Sequence, residues 1–106
     1  GIWTGPGFTV ISDRKIKTNT SRLKHGIENL KKIKTYQYEL KTIPSKKRFG
    51  FMADEIEKVF PELVTTFNHK EKLKSIDYVG LIPVLVNALI QQQKEIDQLK
   101  KRFEKR

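Results

Sequence analysis

From about residue 79 to the end, the sequence reads as one long helix carrying a narrow apolar stripe. Ile82, Leu85, Leu89, Gln92, Ile96, Leu99 and Phe103 recur in alternating steps of three and four, which is a heptad seam three heptads long. Pro83 is compatible with that helix only in its first turn, where a missing N–H leaves no hydrogen bond unmade. Residues 81–90 are apolar on several faces and are expected to pack on their own domain. Residues 91–106 are polar except along the seam, with Glu95, Asp97, Lys100 and Lys101 off it. A stripe that narrow suits a helix meeting sister helices better than one covering a broad core. The seven seam residues are therefore the predicted self-association interface. Gln92 interrupts it with a polar group of the kind that sets register and strand number at some cost in stability. The pattern alone does not distinguish a dimer from a trimer.

A chain of 106 residues makes one compact domain and buries a modest share of its surface, so oligomerisation is a natural source of extra core. With no cysteine there is neither a disulfide framework nor a thiolate metal site, which fits folding in a reducing cytoplasm. The longest apolar stretch, 81–90, is too short to span a bilayer and contains Pro83 and Asn87, so no membrane partner is expected. No charged-then-apolar leader opens the sequence. The net charge of +10 is unevenly placed: residues 14–48 hold twelve Lys/Arg against Glu28 and Glu39, whereas 49–106 hold ten against nine acids. Such a face could attract a polyanion, a nucleotide or another anion, but a solvated lysine-rich surface is the commoner outcome of a charge run.

Residues 1–11 differ from the rest. They carry no charge, three glycines, Pro6, Trp3 and Phe8, and at Ser12 the composition turns abruptly charged. Gly5-Pro6-Gly7 reads as a turn and 8–11 as a short strand. Ser21 is a candidate cap for a helix over 21–33, weakened by Gly26 at about 1 kcal/mol relative to Ala. Residues 34–43 alternate as a strand, Pro44 to Arg48 read as a basic loop, and 48–52 as a second strand. Residues 53–60 form a short helix whose early acids Asp54, Glu55 and Glu57 suit the helix dipole, with Pro61 ending it. Two short strands, 63–67 and 72–76, follow around a loop at 68–71.

No phosphate-cradling glycine loop and no metal-ligand cluster is present. His25 and His69 belong to no shared motif, so no metal and no cofactor are expected. Tyr36, Tyr38 and Phe49 interleave with basic residues, but their alternation fits strand packing better than base stacking. The segment Ile11 to Lys17 is different. A serine hydroxyl needs a base, and a lysine can serve if burial or neighbouring cations favour its neutral form. Arg14 and Lys15 supply cations, while Asp13 works against them. Ser12 could attack the Ile11 carbonyl to give an ester that water hydrolyses, leaving Ser12 as a new N-terminus. Five residues apart, Ser12 and Lys17 do not meet in regular structure, so a turn or a tertiary contact would be required.

Three motifs carry a family resemblance. Ser12-Asp13-Arg14-Lys15-Ile16-Lys17-Thr18-Asn19 resembles the opening motif of the chaperone-of-endosialidase domain, the self-cleaving C-terminal module of phage tail spikes and fibres. Gly50-Phe51-Met52-Ala53-Asp54-Glu55-Ile56, followed by Phe60-Pro61-Glu62-Leu63-Val64, resembles its central motif, and Ser75-Ile76-Asp77-Tyr78-Val79-Gly80-Leu81-Ile82-Pro83-Val84-Leu85 its third. Thr20 and Asp54 depart from the pattern at positions outside the Ser-Lys pair. The resemblance implies a homotrimer with parallel C-terminal helices, which helps the β-rich shaft upstream in its own polypeptide to fold. It also implies release by cleavage between Ile11 and Ser12, with Ser12 as nucleophile and Lys17 as base. Residues 1–11 would then be the end of the parent spike and 12–106 the chaperone. Its place would be the host cytoplasm during virion assembly, with the parent in the phage tail.

The expected fold is α+β: a small antiparallel sheet with short helices, then a long C-terminal helix in a trimeric coiled coil. The expected function is an autoproteolytic intramolecular chaperone. A non-cleaving trimerisation cap and, less in keeping with the residues, a basic nucleic-acid-binding module are the alternatives.

Overall fold

In a computed structural model the structure describes residues 9–105. The predicted turn at 5–7 lies outside them, as does Phe8. Of the strand expected over 8–11, Thr9 to Ile11 are not in regular structure. The fold is α+β, with the elements α1 (Ile27–Leu30), β1 (Tyr36–Leu40), β2 (Ile43–Gly50), α2 (Ala53–Val59), β3 (Val64–Asn68), β4 (Leu73–Ile76) and α3 (Leu81–Glu104). The strands form two separate antiparallel hairpins rather than one sheet.

Two local expectations need correction. The helix expected over 21–33 shrinks to the single turn of α1, and Ser21 does not cap it. The chain before Ile27 is outside regular structure and is tied to the long helix instead: Asn87 Nδ2 donates to the carbonyls of Leu23 and His25, at 3.0 and 3.1 Å. These ties favour the non-helical path that the structure shows for the segment. The basic segment at Pro44 to Arg48 is not a loop but part of β2, after a turn at Lys41 and Thr42. Pro44 is tolerated because the register jumps there: Leu40 pairs with Ile43 and Glu39 with Lys47, leaving 44–46 as a bulge.

The core is small. Ile56 and Phe60, at 1% and 2% exposure, meet Leu81 and Val84 of α3, with Leu30, Ile33, Phe51, Val59, Leu63, Val64 and Ile76 packed around them. α2 presents Ile56, Val59 and Phe60 inward at helical spacing. It ends where the Phe60 N–H bonds the Ile56 carbonyl and Pro61 opens a 3₁₀ turn. The central and third motifs meet at Tyr78. Its ring stacks on Phe51 with centroids 5.5 Å apart, and its hydroxyl accepts the Phe51 N–H at 3.2 Å. A Cβ on Gly50 would run into that hydroxyl and the Tyr38 ring, so the position has room only for glycine. Asp77 turns the chain into α3: its N–H bonds the Leu63 carbonyl and its Oδ1 accepts from Gly80 N–H.

α3 holds 24 residues, about 36 Å at 1.5 Å per residue. Its first part packs on the body, through the buried Leu81, Val84 and Ala88 and through hydrogen bonds of Asn87 and Gln91, and residues 92–105 are exposed. The radius of gyration is 18.2 Å, against about 13 Å for a globular chain of this size. The helix therefore projects from the domain.

Candidate functional site

The opening motif folds into a compact turn. Asp13 accepts the Lys15 N–H on its side chain at 2.8 Å, and the carbonyls of Asp13 and Arg14 accept the N–H groups of Ile16 and Lys17, both at 3.2 Å. The result is a 3₁₀ turn over Arg14–Ile16. That turn reverses the chain between Ser12 and Lys17 and supplies what neither a helix nor a strand could. Lys17 Nζ donates to Ser12 Oγ at 2.5 Å. Asp13 thus has a role that charge reasoning missed: it caps the turn that closes the pair. An aspartate capping the N–H two residues on is a recognisable turn signal.

Ile11, Ser12 and Lys17 are all exposed in the single chain. The pair is close enough for proton transfer, and both partners sit in water. Burying Lys17 would favour the neutral amine. Asn19, with φ of 53°, bends the chain after the pair, and residues 18–22 then run exposed to the segment held by Asn87.

The seam residues all lie on α3. Ile82, Leu85, Leu89, Ile96, Leu99 and Phe103 are exposed in the single chain, Leu89 at 65% and Phe103 at 72%. Gln92 is exposed among them. At 100° per residue the stripe lies roughly a quarter turn around the helix from the face formed by Leu81, Val84 and Ala88. One helix therefore packs on its own domain with one face and offers the seam with another. Leu85 also borders an apolar cleft of about 220 Å³ lined by Leu30, Ile33, Thr35, Phe51 and Leu81, so exposed apolar surface continues from seam to body.

Two further side chains of α3 were not singled out from the sequence. Asn87 binds the carbonyls of Leu23 and His25, and Gln91 Oε1 accepts the Ile27 N–H at 2.9 Å. Their partners lie more than 60 residues away, and no local pattern could have found them. Among the described residues no cluster of His, Asp or Glu could hold a metal ion, and His25 instead packs its ring on Phe60 at 5.6 Å. No helix is long and apolar enough among the described residues to cross a membrane.

A family model for the chaperone of endosialidase matches residues 12–65, just over half of the chain. The match opens at Ser12, takes in the Ser12–Lys17 turn and the central motif, and stops before the third motif. No curated protein matches the chain. The chain belongs to the chaperone-of-endosialidase family, and its role in general terms is that of an intramolecular chaperone.

Proposed function

We propose that three copies of this chain zip together along the α3 seam and bring three β-rich shafts of a phage tail spike or fibre into register. The domain then cuts itself off between Ile11 and Ser12. The observation that carries the cleavage is the hydrogen bond between Lys17 Nζ and Ser12 Oγ at 2.5 Å. In the cut, neutral Lys17 takes the Ser12 hydroxyl proton as Oγ attacks the Ile11 carbonyl carbon. The Ile11–Ser12 C–N bond breaks, the proton passes to the departing Ser12 amine, and the Ile11 acyl group is left as an ester on Oγ. Water adds to the ester, releasing the Ile11 carboxylate and restoring the Ser12 hydroxyl. The chain acts once on itself, in the host cytoplasm during virion assembly, and the parent goes on to the phage tail.

The exposure of both partners supports a reason for the order of events. A lone chain keeps Lys17 in water. Assembly with sister chains and shaft would bury it and favour the neutral base. The same exposure is what a non-cleaving trimerisation cap would show. The two readings part on mass: incubated trimer should lose residues 1–11, and Ser12→Ala should stay whole. A wild-type trimer that stays as intact as Ser12→Ala after long incubation leaves only the cap.

A further inference from the structure

Asn87 and Gln91 stand on α3 at heptad positions that point away from the seam, since Ile82, Leu89, Ile96 and Phe103 fall on one seam position and Leu85, Gln92 and Leu99 on the other. Both are spent on the backbone of residues 23–27. Asn87 Nδ2 bridges the Leu23 and His25 carbonyls at 3.0 and 3.1 Å, and Gln91 Oε1 takes the Ile27 N–H at 2.9 Å. That N–H opens α1 and has no partner within its own helix turn. Gly26, between these contacts, is buried so closely against Gln91 that a Cβ there would overlap the carboxamide, and its own N–H is taken by Asn29 Oδ1 at 3.0 Å. The segment is thus held at four backbone groups in succession. It is also the downstream anchor of the chain that carries the pair: only residues 18–22 separate Lys17 from Leu23.

We propose that Asn87 and Gln91 are positioning residues for self-cleavage: the helix that carries the seam also holds the strap leading to Ser12 and Lys17. The inference rests on the autoproteolytic reading above. Its physical content is that the strap has few ties of its own. The hydrogen bonds of 12–17 close their own turn, and residues 18–22 are exposed. Where the turn sits relative to the trimer axis is therefore set by where the strap is fastened, and the fastening is on the helix whose position assembly fixes. Releasing the strap lets the turn wander from the place where sister chains and shaft cover Lys17. Losses of about 10- to 100-fold in rate are ordinary when a reacting pair is misplaced by an ångström from a distance.

The two side chains act oppositely, which gives the test its discrimination. Asn87 acts as a donor, so Asn87→Asp keeps its shape but loses the function. Gln91 acts as an acceptor, so Gln91→Glu keeps the function. The single-turnover loss of residues 1–11 should be followed by mass in the full chain, with trimer content measured in parallel by sedimentation. Expected is a rate lowered about 10- to 100-fold for Asn87→Ala, Asn87→Asp and Gln91→Ala in chains that remain trimeric, with Gln91→Glu recovering most of it. Equal rates in trimeric wild type, Asn87→Asp and Gln91→Ala overturn the inference and leave autoproteolysis standing. Gln91→Glu as slow as Gln91→Ala also overturns it, and rules even where an alanine variant loses its fold. A wild-type trimer that never loses residues 1–11 overturns the cleavage itself and this inference with it.

Discussion

At the scale of single residues, the Tyr36 hydroxyl lies 2.8 and 2.7 Å from the two carboxylate oxygens of Glu55 and ties the first hairpin to α2. That hydrogen bond, with a lesser contribution from desolvation and from the negative charges of Glu55 and Asp54, raises the Tyr36 pKa. The neutral phenol is therefore favoured by folding. Its contribution is complete below the ordinary tyrosine value near 10 and is lost as pH rises through the higher folded value. Wild type should melt above Tyr36→Phe at pH 7, and the gap should close in buffers above pH 10. Lys17→Arg makes a sharper test of the base. Arginine keeps the positive charge and can still donate to Ser12, but it does not become neutral. It should abolish loss of residues 1–11 as completely as Ser12→Ala, and measurable cleavage in Lys17→Arg would remove Lys17 as the base. Ser12 and Lys17 were legible as a pair only through the motif, because their contact depends on a turn capped by Asp13, whose charge argued against it.

At the scale of elements, α2, β3, β4 and α3 were readable because their signals are local: inward spacing of Ile56, Val59 and Phe60, short alternating strands, and a proline confined to a first turn. The helix over 21–33 was not, because Asn87 and Gln91 compete for its backbone from far along the chain. Pro44 misled for a related reason, since a bulge can absorb a proline that a regular ladder would reject. Phe60 is the largest side chain in a small core, and Phe60→Ala should cost about 3–5 kcal/mol, read from denaturant unfolding. That is a large part of the roughly 5–15 kcal/mol that holds such a domain together, so the variant should be near unfolding at 37 °C. On α3 the outcome differs by face. Leu89→Asp or Ile96→Asp changes residues exposed in the single chain, so the domain should keep its circular dichroism spectrum while its oligomer dissociates. An uncompensated carboxylate inside a closed seam costs several kcal/mol. Retained assembly in both variants would show that the seam is not the contact.

At the scale of the whole molecule, a five-residue buried core among the described residues supports a projecting helix with six apolar seam residues in the open. Covering half of each would contribute about 1 kcal/mol per residue, a sum comparable with the stability of the domain itself. Monomers rarely leave so continuous an apolar strip uncovered. Three helices joined along it would raise the effective concentration of the attached shafts and start them aligned. The proposed cut at Ser12 would then remove the registering element, and the finished spike would be kept together by the height of its unfolding barrier. The positive excess over 14–48 lies outside α3 and is not needed for this account. The measurement that bears most directly on it is sedimentation equilibrium of the purified chain across a wide concentration range. Three chain masses, falling to one in Leu89→Asp, is the predicted result. A folded monomer that persists at the highest concentration would contradict it.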